Sequence, residues 1–266
     1  TFPTGSVDLH YVAANEVGPP LLFLHGVTST WQSSFPVMPA FALRWQLYAL
    51  DLRGHGRSGR AESYRIVDYA ADVIAFLRQR ITRPTVIVGH SLGAIIALAV
   101  ASDAPELVRA IVLEDPPLGA FWDQSLRERP EFARFSATLA LLREQPSLAA
   151  ARRFVDESAP DLDAARRRIR ALSLSRLDPG VLEAVVTDRA KEGYDLDARF
   201  PRVVAPTLLL QGNEALGGAL DDHRAQRAAS LIRDCEHVYF PEAGHGIKDA
   251  QQLDYCKIVG GFLESL

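Results

Sequence analysis

The stretch Val86-Ile87-Val88-Gly89-His90-Ser91-Leu92-Gly93-Ala94-Ile95-Ile96-Ala97 constrains this chain more than any other. It reads as a β-branched strand, a Gly-X-Ser-X-Gly turn and an Ala-rich apolar run of helical character. A strand that turns so sharply into a helix holds the central residue in a strained conformation. Its side chain is then exposed at the carboxyl edge of a sheet, with the helix N-terminus aimed at it. Gly89 and Gly93 let strand and helix approach where a Cβ would collide. Ser91 is therefore the candidate nucleophile, and a serine in that role needs a base, a carboxylate to orient the base and donors to a developing oxyanion.

The surrounding pattern predicts a sheet that can present such an elbow. Leu21-Leu22-Phe23-Leu24 is a continuous apolar run of strand length, as in a parallel sheet buried on both faces. Val7 to Ala13, ended by Gly18-Pro19-Pro20, reads as an earlier strand, and Trp45 to Leu50 and Leu107 to Glu114 as further ones. Ile66 to Arg80 has helical periodicity, with Val67, Ala70, Ala71, Ile74 and Leu77 on one face. Strand and helix alternating at this spacing argue for βαβ units. From about Phe121 to Phe200 strand-like runs cease, and Ala, Leu, Arg and Glu dominate, with Asp178-Pro179 marking a helix start. Strands return at Val203 to Gln211 and His237 to Phe240, with helices over Asp221 to Arg233 and Ala250 to Leu263. The expected class is α/β, a mostly parallel sheet flanked by helices. Its core is 1–118 and 201–266, with a helical insertion at 119–200.

With 266 residues, 48% hydrophobic and 23% charged, the chain suits one large α/β domain with an insertion as well as two small domains. A net charge of -4 gives no reason to expect nucleic acid or an anionic membrane as partner. No apolar run has the length of a membrane span, and the N-terminus lacks the pattern of a signal peptide. The chain begins at Thr1 without a Met, so a removed leader stays open. Cys235 and Cys256 have neither metal-knuckle nor redox spacing and read as free, reduced thiols of a cytoplasmic protein. Arg152-Arg153 and Arg166-Arg167-Arg168 read as solvated faces.

Seven histidines compete for the role of base. His245, in Gly244-His245-Gly246 after the last expected strand, falls at the same carboxyl edge as Ser91, where open α/β sheets bind ligands. His25 and His55 each precede a glycine in a turn and are expected to bond backbone. His90, adjacent to the serine in a tight elbow, should point away from the hydroxyl and shape the pocket. His10, His223 and His237 read as surface or half-buried residues.

Taken together, His25-Gly26, the loop from Asp51 to Ser58, Gly89-His90-Ser91-Leu92-Gly93 and Gly244-His245 resemble, in order, the motifs of the α/β-hydrolase superfamily. The resemblance spans the core on both sides of the insertion and is specific for fold, not for substrate. It implies an oxyanion hole from the backbone amides of Val27 and Leu92. Dehalogenases and epoxide hydrolases of the superfamily carry Asp at the nucleophile position, which the serine disfavours here.

The orienting carboxylate departs from the usual pattern. Superfamily members commonly place it three residues beyond the glycine that ends the strand Leu208-Leu209-Leu210-Gln211, and that position is Ala215. An alternative location in the superfamily follows the strand after the nucleophile helix, where Glu114-Asp115 stands. Asp115 is the preferred candidate, with Glu114, Glu214, Asp221 and Asp222 left open. Only one of Glu114 and Asp115 can face His245, because neighbours in an extended segment alternate.

The insertion resembles the helical cap that roofs the pocket in many relatives. Phe121, Trp122, Leu126, Phe132 and Phe135 are candidates for an apolar substrate wall or for packing between cap helices. The resulting expectation is a cofactor-free, metal-free serine hydrolase acting on a small carboxylic ester or lactone. Carbon–carbon bond hydrolysis with the same three side chains is one alternative. A non-catalytic small-molecule binding protein on this scaffold is another, and homo-oligomerisation is left open.

Overall fold

The structure, a computed structural model, describes residues 1–122, 126–129 and 131–266. Two short strands, β1 (Phe2–Pro3) and β2 (Asp8–Leu9), pair antiparallel ahead of the main sheet. β3 (Tyr11–Ala14), β4 (Pro20–Leu24) and β5 (Gln46–Leu50) follow, then helix α1 (Ile66–Phe76), whose last turn loosens into a π-helical segment, Leu77–Ile81. Next come β6 (Thr85–His90), α2 (Leu92–Asp103) and β7 (Val108–Glu114). The described elements from there to residue 202 are all helical: α3 (Gly119–Trp122), α4 (Glu131–Arg143), α5 (Leu148–Ser158), α6 (Ala164–Arg176), α7 (Pro179–Val186), α8 (Leu196–Arg199) and short 3-10 turns. The chain ends with β8 (Thr207–Gly212), α9 (Asp222–Leu231), β9 (Cys235–Phe240), α10 (Ile247–Ala250) and α11 (Gln252–Glu264).

Seven strands form one sheet in the order β3-β5-β4-β6-β7-β8-β9. Only the β3–β5 pair is antiparallel; the others run parallel, so six carboxyl ends share one edge. The period of two in the strands separates two cores. Leu22, Leu24, Ile87, Ile111, Leu113 and Leu209 face α1 and α2, whereas Leu21, Phe23, Val86, Val88, Val112, Leu208 and Leu210 face Tyr255, Val259 and Phe262 of α11. α2 is buried from Leu92 to Ser102 and is apolar on every side. A helix of that kind needs cover all round. The sheet supplies one side, and the helical segment the other, where the Tyr194 hydroxyl donates to the Ile95 carbonyl at 3.3 Å.

Several boundaries differ from the sequence expectation, and the run Val7 to Ala13, expected as one strand, divides into β2 and β3 of two different sheets. The strand expected from Val203 starts at Thr207, because Pro206 has no amide to donate and a 3-10 turn occupies Phe200–Arg202. β9 begins at Cys235, ahead of His237. The terminal helix is broken at Gln251, whose ψ of 56° separates α10 from α11. Among the described residues no helix is long and apolar enough to cross a membrane.

Candidate active site

The segments that follow five strands converge on one cavity of about 360 Å³ at the carboxyl edge of the sheet. β6 turns into α2 through Ser91, which adopts φ 54° and ψ −115°. The turn closes this tightly because both flanking positions lack side chains. A Cβ on Gly89 would sit 2.3 Å from the Gly93 carbonyl oxygen, and one on Gly93 would sit 2.2 Å from that of Leu24. The Ser91 amide donates to the Glu114 carbonyl at 2.9 Å, locking the elbow to the end of β7. That leaves the Ser91 side chain on the cavity wall at the start of α2.

β4 delivers His25, Gly26 and Val27 to the same wall. Val27 and Leu92 both line the cavity, and among the described residues neither amide has a protein partner. The imidazole of His25 lies beneath, donating from Nδ1 to the Gly26 carbonyl at 2.8 Å and accepting at Nε2 from the Leu52 amide at 3.0 Å. Burial, chiefly, lowers its pKa to about 4, with the Lys248 cation acting in the same direction. His55 likewise donates to the Arg53 carbonyl at 2.8 Å, and burial followed by the neighbouring His25 lowers its pKa to about 3. Both histidines are framework, bonded to backbone as their turns suggest.

His245 stands in the loop between β9 and α10. Its Nδ1 donates to Asp115 Oδ2 at 2.7 Å, and its ring is partly open to the cavity. Asp115 immediately follows β7, is fully buried and has φ 43°. Its carboxylate also accepts from the Gly212 amide at 3.1 Å and the Ala219 amide at 2.7 Å. The segment after β8 therefore supplies two backbone donors to a carboxylate that comes from β7. No hydrogen bond joins His245 to Ser91 directly; both face the one cavity, and contacts of this type commonly tighten only when substrate is bound.

The competing carboxylates go elsewhere. Glu114 points to the other side of β7, where Oε2 meets Lys248 Nζ at 2.9 Å and Oε1 accepts the Lys248 amide at 3.0 Å. Glu214 is exposed. Asp221 caps α9 by accepting from the Arg224 amide at 2.9 Å, and Asp222 accepts from Gln211 at 2.7 Å.

Three candidates for the pocket wall, His90, Trp122 and Phe132, do not line the cavity. His90 lies behind His245: its Nε2 donates to the His245 carbonyl at 2.8 Å and the ring centroids are 4.7 Å apart. Burial, then the Lys248 cation and the neighbouring His245 ring, hold it well below the ordinary histidine pKa. It supports the His245 loop instead of shaping the cavity. Trp122 turns away to stack on Phe200 at 5.3 Å and to donate to Asp197 at 2.9 Å, under the Arg227 guanidinium. Phe121, Leu126 and Phe135 do line the cavity, joined by Val185 and Ile66. Phe132 does not. Sequence periodicity overlooked Val185 and Ile66, and nothing in their local pattern marks them as cavity residues.

Comparison with known proteins agrees with this arrangement. A family model described as the alpha/beta hydrolase family matches residues 21–252. The chain belongs to the alpha/beta hydrolase family. A 2-(acetamidomethylene)succinate hydrolase from Mesorhizobium japonicum is 28% identical over 256 residues, spanning 93% of this chain and 89% of that protein. Among solved structures, the N-formylmaleamic acid deformylase of Pseudomonas putida superposes with a TM-score of 0.81 at 18% identity, covering 95% of this chain and 96% of the other. The enol-lactonase of Burkholderia xenovorans superposes with a TM-score of 0.73 at 18% identity over 96% of each chain. At such identities the two superpositions speak to the alpha/beta hydrolase fold alone.

Proposed function

We propose that this chain is a cofactor-free serine hydrolase that cleaves a carboxylic ester or lactone through an acyl-enzyme on Ser91. The observation that carries the reading is the 2.7 Å contact between His245 Nδ1 and the buried Asp115, which leaves His245 Nε2 as the acceptor facing the cavity it shares with Ser91. In this mechanism Ser91 Oγ attacks the carbonyl carbon while Nε2 takes the hydroxyl proton. Asp115 holds the tautomer and balances the imidazolium. The Val27 and Leu92 amides receive the tetrahedral oxyanion, helped by the positive end of α2. As the intermediate collapses, His245 returns the proton to the departing alcohol. A water, deprotonated by the same nitrogen, then releases the acid and restores Ser91.

The helical segment 119–200 acts as a cap that keeps this chemistry in an apolar pocket. The name of the sequence relative, a hydrolase, supports hydrolysis as the reaction class.

Stopped-flow kinetics with p-nitrophenyl acetate and butyrate test the proposal. A burst of p-nitrophenol, followed by slower turnover, is expected, with both lost in Ser91→Ala. No acyl-enzyme by mass spectrometry, and Ser91→Ala indistinguishable from wild type, would sink it.

A further inference from the structure

Among the described residues the cavity wall carries five acidic or basic side chains besides His245, and four of them cancel in pairs. Arg129 Nε lies 3.3 Å from Glu131 Oε2, and Lys191 Nζ lies 3.4 Å from Asp188 Oδ1. The fifth is Arg134 of α4. Among the described residues no carboxylate lies within ion-pair distance of it; its guanidinium rests 5.1 Å from the ring of Phe135.

A second arginine reinforces the imbalance. Arg170 is on α6, and contacts on either side of it settle which way that face of the helix looks. Arg166, one turn earlier, donates to the Asp249 carbonyl at 3.0 Å, close behind the His245 loop. Ser173, one turn later, hydrogen-bonds Thr30 at 3.2 Å, close behind Val27. Positions 166, 170 and 173 lie on one helix face. Arg170 therefore lies on the α6 face that meets those two loops. It is half-buried and, among the described residues, has no carboxylate partner. Burial first, and then the Arg134 cation, pull its pKa below the ordinary arginine value.

Two like charges close together at a partly desolvated site are unfavourable until an anion joins them. The chain as a whole carries a net charge of -4, so this attraction for anions is local. A guanidinium grips a carboxylate with two parallel N–H donors, and two guanidiniums can share one. We propose that Arg134 and Arg170 form a carboxylate-recognition site at the mouth of the cavity, and that the substrate opened at Ser91 carries a carboxylate several bonds from its scissile carbonyl. The paired Arg129 and Lys191 are not part of that site, because their charges are already matched. This inference rests on the hydrolase reading above and narrows its substrate to acid-bearing esters or lactones.

Two probes of equal chain length test it: the mono-p-nitrophenyl ester of adipic acid, which ends in a carboxylate, and p-nitrophenyl hexanoate, which ends in a methyl. The readout is the ratio of kcat/KM for the acid ester to that for the neutral one. The ratio is expected to fall about tenfold or more in Arg134→Gln and in Arg170→Gln, mainly through KM, and to be partly kept in Arg134→Lys. A ratio unchanged in both glutamine variants overturns the proposal.

Binding without turnover separates the two readings. Adipate should raise the melting temperature of the wild type but not that of Arg134→Gln/Arg170→Gln. If the wild type hydrolyses neither ester while adipate still distinguishes the two proteins, the hydrolase reading fails and the anion site stands. If both esters are hydrolysed and adipate shifts the two proteins equally, the anion site fails and the hydrolase reading stands.

Discussion

At the scale of single residues, Asp115 does what its position in the sequence only half announces. Alternation along β7 requires Glu114 and Asp115 to point opposite ways, but sequence alone does not say which faces His245. The decision comes from contacts far along the chain. Lys248 claims Glu114, while the amides of Gly212 and Ala219 converge on Asp115. These partners leave no local signal, since an alanine or glycine amide looks the same in sequence wherever it points. Asp115→Asn should keep the fold but present an amide to His245 Nδ1 and favour the wrong tautomer. A loss of roughly 10³–10⁴-fold in kcat for p-nitrophenyl butyrate is expected. Glu214→Gln, on an exposed turn, should stay within about twofold. Steady-state rates of the two variants, measured side by side, check this; the reverse order would move the orienting carboxylate to 214.

At the scale of elements, the elbow between β6 and α2 was legible because close approach demands glycine, and glycine is visible in a sequence. The same holds for the strands buried on both faces, whose unbroken apolar runs allow little else. The orientation of short helices was not legible. α3 has four residues, too few for periodicity to show which side meets the cavity, so Phe121 and Trp122 looked equivalent until Phe200 and Arg227 took the tryptophan. The tie between α10 and β7 was equally hidden, being an ion pair between residues far apart in sequence. Lys248 and Glu114 are 4% and 1% exposed, so removing one partner strands the other charge in a dry place. Lys248→Met should lower unfolding free energy by about 3–5 kcal/mol. Glu114→Gln/Lys248→Met, which keeps an acceptor for the Lys248 amide and removes both charges, should recover most of it. Urea denaturation of the three proteins measures this, and a single variant within about 1 kcal/mol of wild type would show the pair to be dispensable.

At the scale of the whole molecule, the sheet gathers residues from the first tenth of the chain to the last at one edge, and its stability carries a pH signature. His25 and His55 have folded-state pKa values of about 4 and about 3, against 6.5 in an unfolded chain. Below pH 6.5 the unfolded state binds protons that the folded state refuses. Stability is therefore complete above about pH 6.5 and is lost as pH falls toward 4, by up to about 1.4 kcal/mol per pH unit for each histidine. Melting curves between pH 7 and pH 4 should show the midpoint dropping steadily, and His55→Asn should make that slope shallower. A midpoint flat over this range would contradict the assignment. Fold class was readable at this scale because the alternation of strand and helix repeats along the whole core. The cavity's contents were not, since α4, α7 and the 3-10 turns that line it meet only after the insertion folds back over α2.

The backbone of Ser91, with φ 54° and ψ −115°, places a residue with a Cβ where glycine alone is at ease. Under the proposed mechanism, reactivity and durability are opposed at this one position, and a chain relieved of the reaction could be made sturdier there. Ser91→Gly should melt higher than Ser91→Ala, by the equivalent of about 1 kcal/mol or more, although the two are equally inert toward esters. Ranking the two melting temperatures the other way would mean that the surrounding strand and helix relax around the elbow. In the expected order, the proposed nucleophile sits at a point where selection for mere persistence would have chosen a different residue.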